Sequence, residues 1–118
     1  MAEVNIAQYA RQVGADLEEA AVNIKLSLFK GIILDTRVKT GRLRGNWQTT
    51  TGEPNKSTTE REDIGGSQAI DEALGAITPD GIDYMTNNLP YAEVYEEQDG
   101  MAARNLLRIK NNIIKASK

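Results

Sequence analysis

Between Val4 and Leu34 the apolar residues Ile6, Ala10, Val13, Leu17, Ala20, Ile24 and Leu28 recur in steps of three and four. That is the period of one helical face. Ala7, Ala21 and Ile32 widen the stripe, while Gln12, Asp16, Glu19 and Asn23 fill the polar side. The spacing predicts one long amphipathic helix, with Gly14 inside it at a cost of about 1 kcal/mol relative to alanine. A second stripe, Ala102, Leu106, Ile109 and Ile113 with Leu107 and Ile114 beside it, predicts a C-terminal helix.

Between the helices the period changes. In "DTRVKTGRLRG", Asp35 and Thr36 favour local side-chain to backbone bonds, and Gly41 permits a turn. "LRGNWQTTT" follows with partial alternation and a threonine run that suits a strand. Residues 52–67 are polar and punctuated by Gly and Pro, which predicts a long exposed loop or protruding hairpin, mobile in the isolated chain. "SQAIDEALGAI" reads as a short helix capped by Ser67, with a strand as the alternative. "DGIDYMTNN" reads as a strand with Ile82, Tyr84 and Thr86 on one face. After a Pro turn, Tyr91, Val94 and Tyr95 predict a short helix that Gly100 ends. The resulting fold class is α+β. Long N-terminal and C-terminal helices pack on a small, mostly antiparallel sheet, in one domain over residues 1–118.

Composition narrows the chemistry. The chain of 118 residues has no Cys and no His, which removes disulfides and the usual zinc sites. Mean hydropathy is -0.47, no apolar run approaches a bilayer span, and the N-terminus lacks the pattern of a signal peptide. Synthesis in the cytoplasm is the natural expectation. A net charge of -3 argues against general nucleic-acid binding. The charge is also divided. Asp80, Asp83, Glu93, Glu96, Glu97 and Asp99 form an acidic block, followed by Arg104, Arg108, Lys110, Lys115 and Lys118. Either the helix dipole selects that order, or it equips the molecule for head-to-tail contact with its own copies.

The catalytic readings are poor. "TGRLRG" has neither the glycine spacing nor the Lys-Ser pair of a P-loop, so Arg42 and Arg44 read as partners for a carboxylate or phosphate at a subunit contact. Glu93 shares a helical face with Glu96 or Glu97, but a carboxylate pair for glycoside chemistry needs two groups flanking a cleft. "EEQDG" lacks the alternating oxygen ligands of a calcium loop. A serine or threonine nucleophile would have only Lys as its base. Tyr84, Tyr91 and Tyr95 lie among acids, which suits packing or an interface better than a base-stacking platform. No catalytic residue, metal or cofactor is expected, and the reading is a protein that binds other proteins.

The stretches "VKTGRLRGNW" and "YMTNNLPYAEVYE" taken together resemble the phage neck and tail-completion family, which includes the lambda tail-completion protein. The first element is Val38, Thr40, Gly41, Leu43, Arg44, Asn46 and Trp47; the second is Asn87 or Asn88, with Leu89, Pro90, Tyr91, Ala92 and Glu96. Their order and spacing, with a helix at either end, span nearly the whole chain. The chain departs from the family in having Lys39 before the Thr-Gly, where Asp is common.

The resemblance implies an α+β fold with a strand-rich middle. It also implies a sixfold or twelvefold ring in the virion, between portal-connector and tail tube, around the channel that DNA passes through. Connector or head-completion proteins and tail-terminator or tail-tube proteins would be its partners, with no membrane involved. Trp47 would anchor the strand. Subunit-interface candidates are Arg42, Arg44, Trp47, Tyr91, Glu93, Tyr95, Glu96 and Glu97; charge complementarity, not the resemblance, suggests Arg44 paired to Glu96 across subunits. The alternative is a small adaptor or regulatory protein that binds one phage or host protein through its tyrosine-rich acidic turn.

Overall fold

The computed structural model describes residues 10, 11, 14 and 16–116. Among the described residues from Leu17 onward, five helices and a two-stranded antiparallel sheet make an α+β fold. The helix α1 (Leu17–Asp35) starts where Asp16 accepts a hydrogen bond from the Glu19 N–H at 2.7 Å. The helix expected from Val4 is therefore interrupted, with Ala10 and Arg11 helical ahead of the break. Gly14 sits at φ +74, which no α-helix continues through, and the Asp16 carboxylate opens a new helix two residues on. The remainder of the expected helix, Val4 to Tyr9, lies outside the described residues.

Thr36 ends α1 in extended backbone and turns its hydroxyl back onto the Ile32 carbonyl at 2.7 Å. After a turn at Gly41, residues Arg42–Gly45 form one helical turn, α2, before strand β1 (Trp47–Thr51). The strand expected from Leu43 therefore starts later. Its partial alternation belongs to a helical turn joined to a shorter strand. β1 pairs antiparallel with β2 (Asp83–Asn87), with Trp47 opposite Asn87 and Thr51 opposite Asp83. A two-stranded ribbon is marginal alone. Here α3 (Ser67–Ala76) packs on β1, and α1 packs on both α3 and the last helix. The helix expected at 67 is thus present, but Ser67 does not cap it. Asp63, 3% exposed, takes that role by accepting from the Ala69 N–H at 2.8 Å.

α4 (Ala92–Asp99) ends at Gly100, in left-handed backbone, and α5 (Met101–Ala116) follows at once. Glu96 Oε1 accepts from the Ala102 N–H at 2.7 Å, satisfying one of the donors that open α5. The buried row of α5 is Met101, Asn105, Ile109 and Ile113. Leu106, expected on the inner face, is 55% exposed, because Asn105 takes the inward position. There it donates to Asp35 and to the Met101 carbonyl, and accepts from Arg108. Gly31 of α1 makes room for it, since a Cβ there would clash with Asn105 Oδ1.

The main core consists of Ile32, Ile33, Trp47, Ala69 and Met101, with Leu28, Ile70, Met85, Tyr95 and Ala102 against it. A smaller cluster joins Leu43, Leu89 and Ala92. In β2 it is Met85 that reaches the core, and Ile82, just before the strand, is 68% exposed.

The polar segment after β1 has no regular secondary structure from 54 to 63, and no hairpin forms there. It crosses the molecule as a strap tied by side chains. Asn46, wholly buried, donates to the Thr59 and Arg42 carbonyls and accepts from the Thr59 N–H. Arg61 reaches the Gly45 and Trp47 carbonyls and pairs with Glu72 at 3.0 Å. Asn88 holds the Asn55 and Ser57 carbonyls from the other end.

Candidate functional site: a cationic tyrosine cleft beside an acidic helix edge

The turn from α1 to α2 carries Arg37, Lys39 and Arg42 within six residues. Its path depends on Gly41, which has φ +87, a region that side-chain-bearing residues rarely adopt. A Cβ at Gly41 would also lie 2.7 Å from the backbone nitrogens of both Asp63 and Ile64. The Gly41 carbonyl accepts from Gly45 and from Asp63, so this single residue joins α2 to the strap.

Opposite that turn, Tyr91 at the start of α4 and Tyr95 within it face the cleft. Their rings meet edge to face, with centroids 5.8 Å apart and planes at 87°. The Arg37 guanidinium lies 4.5 Å over the Tyr95 ring centre and donates through Nε to Asp99 at 2.7 Å. Two attractions thus orient Arg37, one to the ring face and one to the carboxylate. The hydrogen bond to Asp99 holds the Arg37 guanidinium above its ordinary pKa, and the same bond holds the Asp99 carboxyl below its own.

Between the two walls is an open cleft of about 460 Å³, lined by Arg37, Lys39, Arg42, Glu62, Tyr91 and Tyr95 among others. Leu43 forms part of its floor. Arg42 reaches Glu60 at 3.4 Å, but that glutamate's side chain is 90% exposed, which makes it a weak partner. Arg42 Nε is shielded from solvent and has no hydrogen-bond partner among the described residues.

The structure sorts the sequence-derived candidates into three groups. Arg42, Tyr91 and Tyr95 meet in the cleft. Arg44, Trp47 and Glu96 are engaged inside the chain. Arg44 donates to the Leu34, Thr36 and Ile64 carbonyls and so closes the C-terminal end of α1. Trp47 is 8% exposed and donates from Nε1 to the Thr36 hydroxyl at 2.7 Å. Glu96 caps α5. The third group is Glu93 and Glu97, which are exposed on α4 and enter no ion pair among the described residues.

Arg37 and Lys39 were missed as site residues. The signal in the sequence is four cations at 37, 39, 42 and 44 around one predicted turn. Among the described residues no three or more acidic or other ligating side chains gather as a metal site. No described helix is long and apolar enough to cross a membrane. No family model, curated protein or solved structure matches the chain.

Proposed function

We propose that this chain is a non-enzymatic assembly subunit of a phage neck, forming a ring between portal-connector and tail tube around the DNA channel. One observation carries the reading. The two stretches that resemble the neck and tail-completion family lie about forty residues apart in sequence, and they interlock in space. Trp47 pairs with Asn87 in the sheet, the Asn87 side chain donates to the Leu43 carbonyl at 2.8 Å, and Leu43 packs on Leu89 and Ala92. Residues of both elements therefore define one framework, with the tyrosine cleft at its rim.

The surface agrees with a protein that meets other proteins. The cleft is open and lined in part by Tyr91, Tyr95, Arg37 and Arg42, residue types enriched at interfaces. A net charge of -3 suits a wall past which DNA slides, since a strongly basic channel would hold the phosphate backbone.

Cryo-electron microscopy of the particle encoding this chain, focused on the head–tail junction, tests the proposal. The expected result is a ring of this chain between connector and tail tube. Junction density fully accounted for by other proteins overturns it, and the formed cleft then favours an adaptor that receives a segment of one soluble partner.

A further inference from the structure

Helix α4 carries two opposite chemistries on two opposite sides. Successive helical residues are rotated by about 100°, so Glu93 and Glu97 each lie about 200° from Tyr95. Tyr95, with Tyr91 before the helix, lines the cationic cleft. Glu93 and Glu97, one turn apart on the far side, share an exposed edge with Val94, which is 49% exposed.

The cleft contains two cations with little to hold them. Lys39 is exposed and in no ion pair among the described residues, and Arg42 has only the solvent-exposed Glu60 and a shielded, unpartnered Nε. Arg37 is different, because Asp99 and the Tyr95 ring already occupy it. Glu62 also lines the cleft, so the two cations are not the whole charge there. Arg44 and Glu96, the pair that sequence reasoning would have matched across subunits, are both used within the chain. Among the sequence-derived candidates and the cleft cations, Lys39 and Arg42 on the cleft wall and Glu93 and Glu97 on the far edge of α4 are the ones left without a strong partner among the described residues.

We infer that the cleft of one copy receives the Glu93–Glu97 edge of a second copy of this chain, with Lys39 and Arg42 meeting the two carboxylates beside the tyrosine pair. The inference rests on the assembly reading above and names the contact through which it operates. Cleft and edge are different surfaces on opposite faces of α4, which suits a contact between unlike patches. The contact is head-to-tail, and repetition closes a ring or extends a filament. Arg42 would exchange its long contact to Glu60 for a carboxylate that its guanidinium can bind through two donors.

Sedimentation equilibrium of the purified chain at low salt, with two charge-reversed variants, tests it. Lys39→Glu/Arg42→Glu makes both cleft and edge acidic, and Glu93→Lys/Glu97→Lys makes both basic. Each variant alone is expected to self-associate at least about tenfold more weakly than the parent, since like charges then face each other. An equimolar mixture of the two should recover association, because each variant's cleft matches the other's edge. Raising the salt should weaken both the parent and the mixture. Lys39→Glu alone, at an exposed position, is the second variant should Arg42→Glu disturb folding, and it should show the same direction of change.

Parent association that neither variant changes overturns the pairing while leaving the neck assignment to the virion reconstruction. Variants that both weaken association without mutual recovery overturn the pairing as well. A parent chain that stays monomeric up to about 1 mM, the scale of the weakest useful affinities, also overturns it as a self-contact.

Discussion

Gly41 shows how one residue sets a site. Its left-handed backbone directs the chain from α1 into α2, and its bare Cα lets the strap approach within contact of the turn. Sequence alone marks it as a turn residue; the need for no side chain comes from Asp63 and Ile64, more than twenty residues later. Gly41→Ala should lower unfolding stability by about 3 kcal/mol, combining strain at positive φ with a clash against backbone that cannot easily move. Urea unfolding followed by Trp47 fluorescence reads this directly, and an unchanged midpoint would mean the turn adapts. The resemblance implied that Trp47 anchors the strand and also placed it at a subunit interface; its ring is buried within the chain, with Thr36 supplying the partner its indole N–H needs.

At the scale of elements, the strap from 54 to 63 differs most from its sequence. Composition predicts a mobile loop, because the segment has little apolar surface to bury. Its attachment uses polar groups instead. The Asn46 amide offers one acceptor and two donors, and all three are matched, two of them by Thr59. Asn46→Ala removes these bonds and leaves the Thr59 and Arg42 groups unpaired, so a loss of about 2 kcal/mol is expected. Hydrogen exchange should show faster exchange at the Thr59 amide with little change in α5. Equal protection in variant and parent would assign the strap's attachment to Arg61 and Asn88 instead. The helix ends follow a similar pattern. α3 is opened by Asp63 rather than by its neighbour Ser67, and α1 is closed by Arg44 from the next helical turn, so the capping groups arrive through the fold.

For the whole molecule, Lys25 links α1 to the turn before β2. Its ammonium donates to the Thr78 and Gly81 carbonyls and to Asp83 Oδ2 at 2.7 Å. The Asp83 side chain is 1% exposed. Burial pushes its carboxyl up, but hydrogen bonds from Lys25 and Thr51 and from the Thr78 N–H outweigh this and hold its pKa below the ordinary value. The stability it contributes is therefore complete above about pH 4, the ordinary carboxylate value, and is lost as pH falls through the lower folded-state pKa. Asp83→Asn should cost about 3 kcal/mol at neutral pH, since it leaves Lys25 without its counter-charge. The variant should also lack this part of the parent's decline in acid. Thermal unfolding across pH 2 to 7 tests both statements. Parallel pH profiles for the two proteins would show that the link is not what acid breaks.

Period and composition alone determined that the chain is α+β, that helices lie near its ends, and that β2 follows an Asp-Gly turn, while at residue 67 they left helix and strand both open. These features rest on local periodicity and turn chemistry, which are written in neighbouring residues. Tertiary structure alone decided which way each helix faces and which charges remain available. Leu106 is expected inside and lies in solvent because Asn105 finds Asp35, seventy positions away, as its partner. Arg44 and Arg42 are nearly equivalent in sequence, yet one closes α1 and the other opens onto the cleft. A polar side chain's availability depends on the backbone carbonyls and carboxylates that folding brings within about 3 Å of it, and no local pattern encodes those distances.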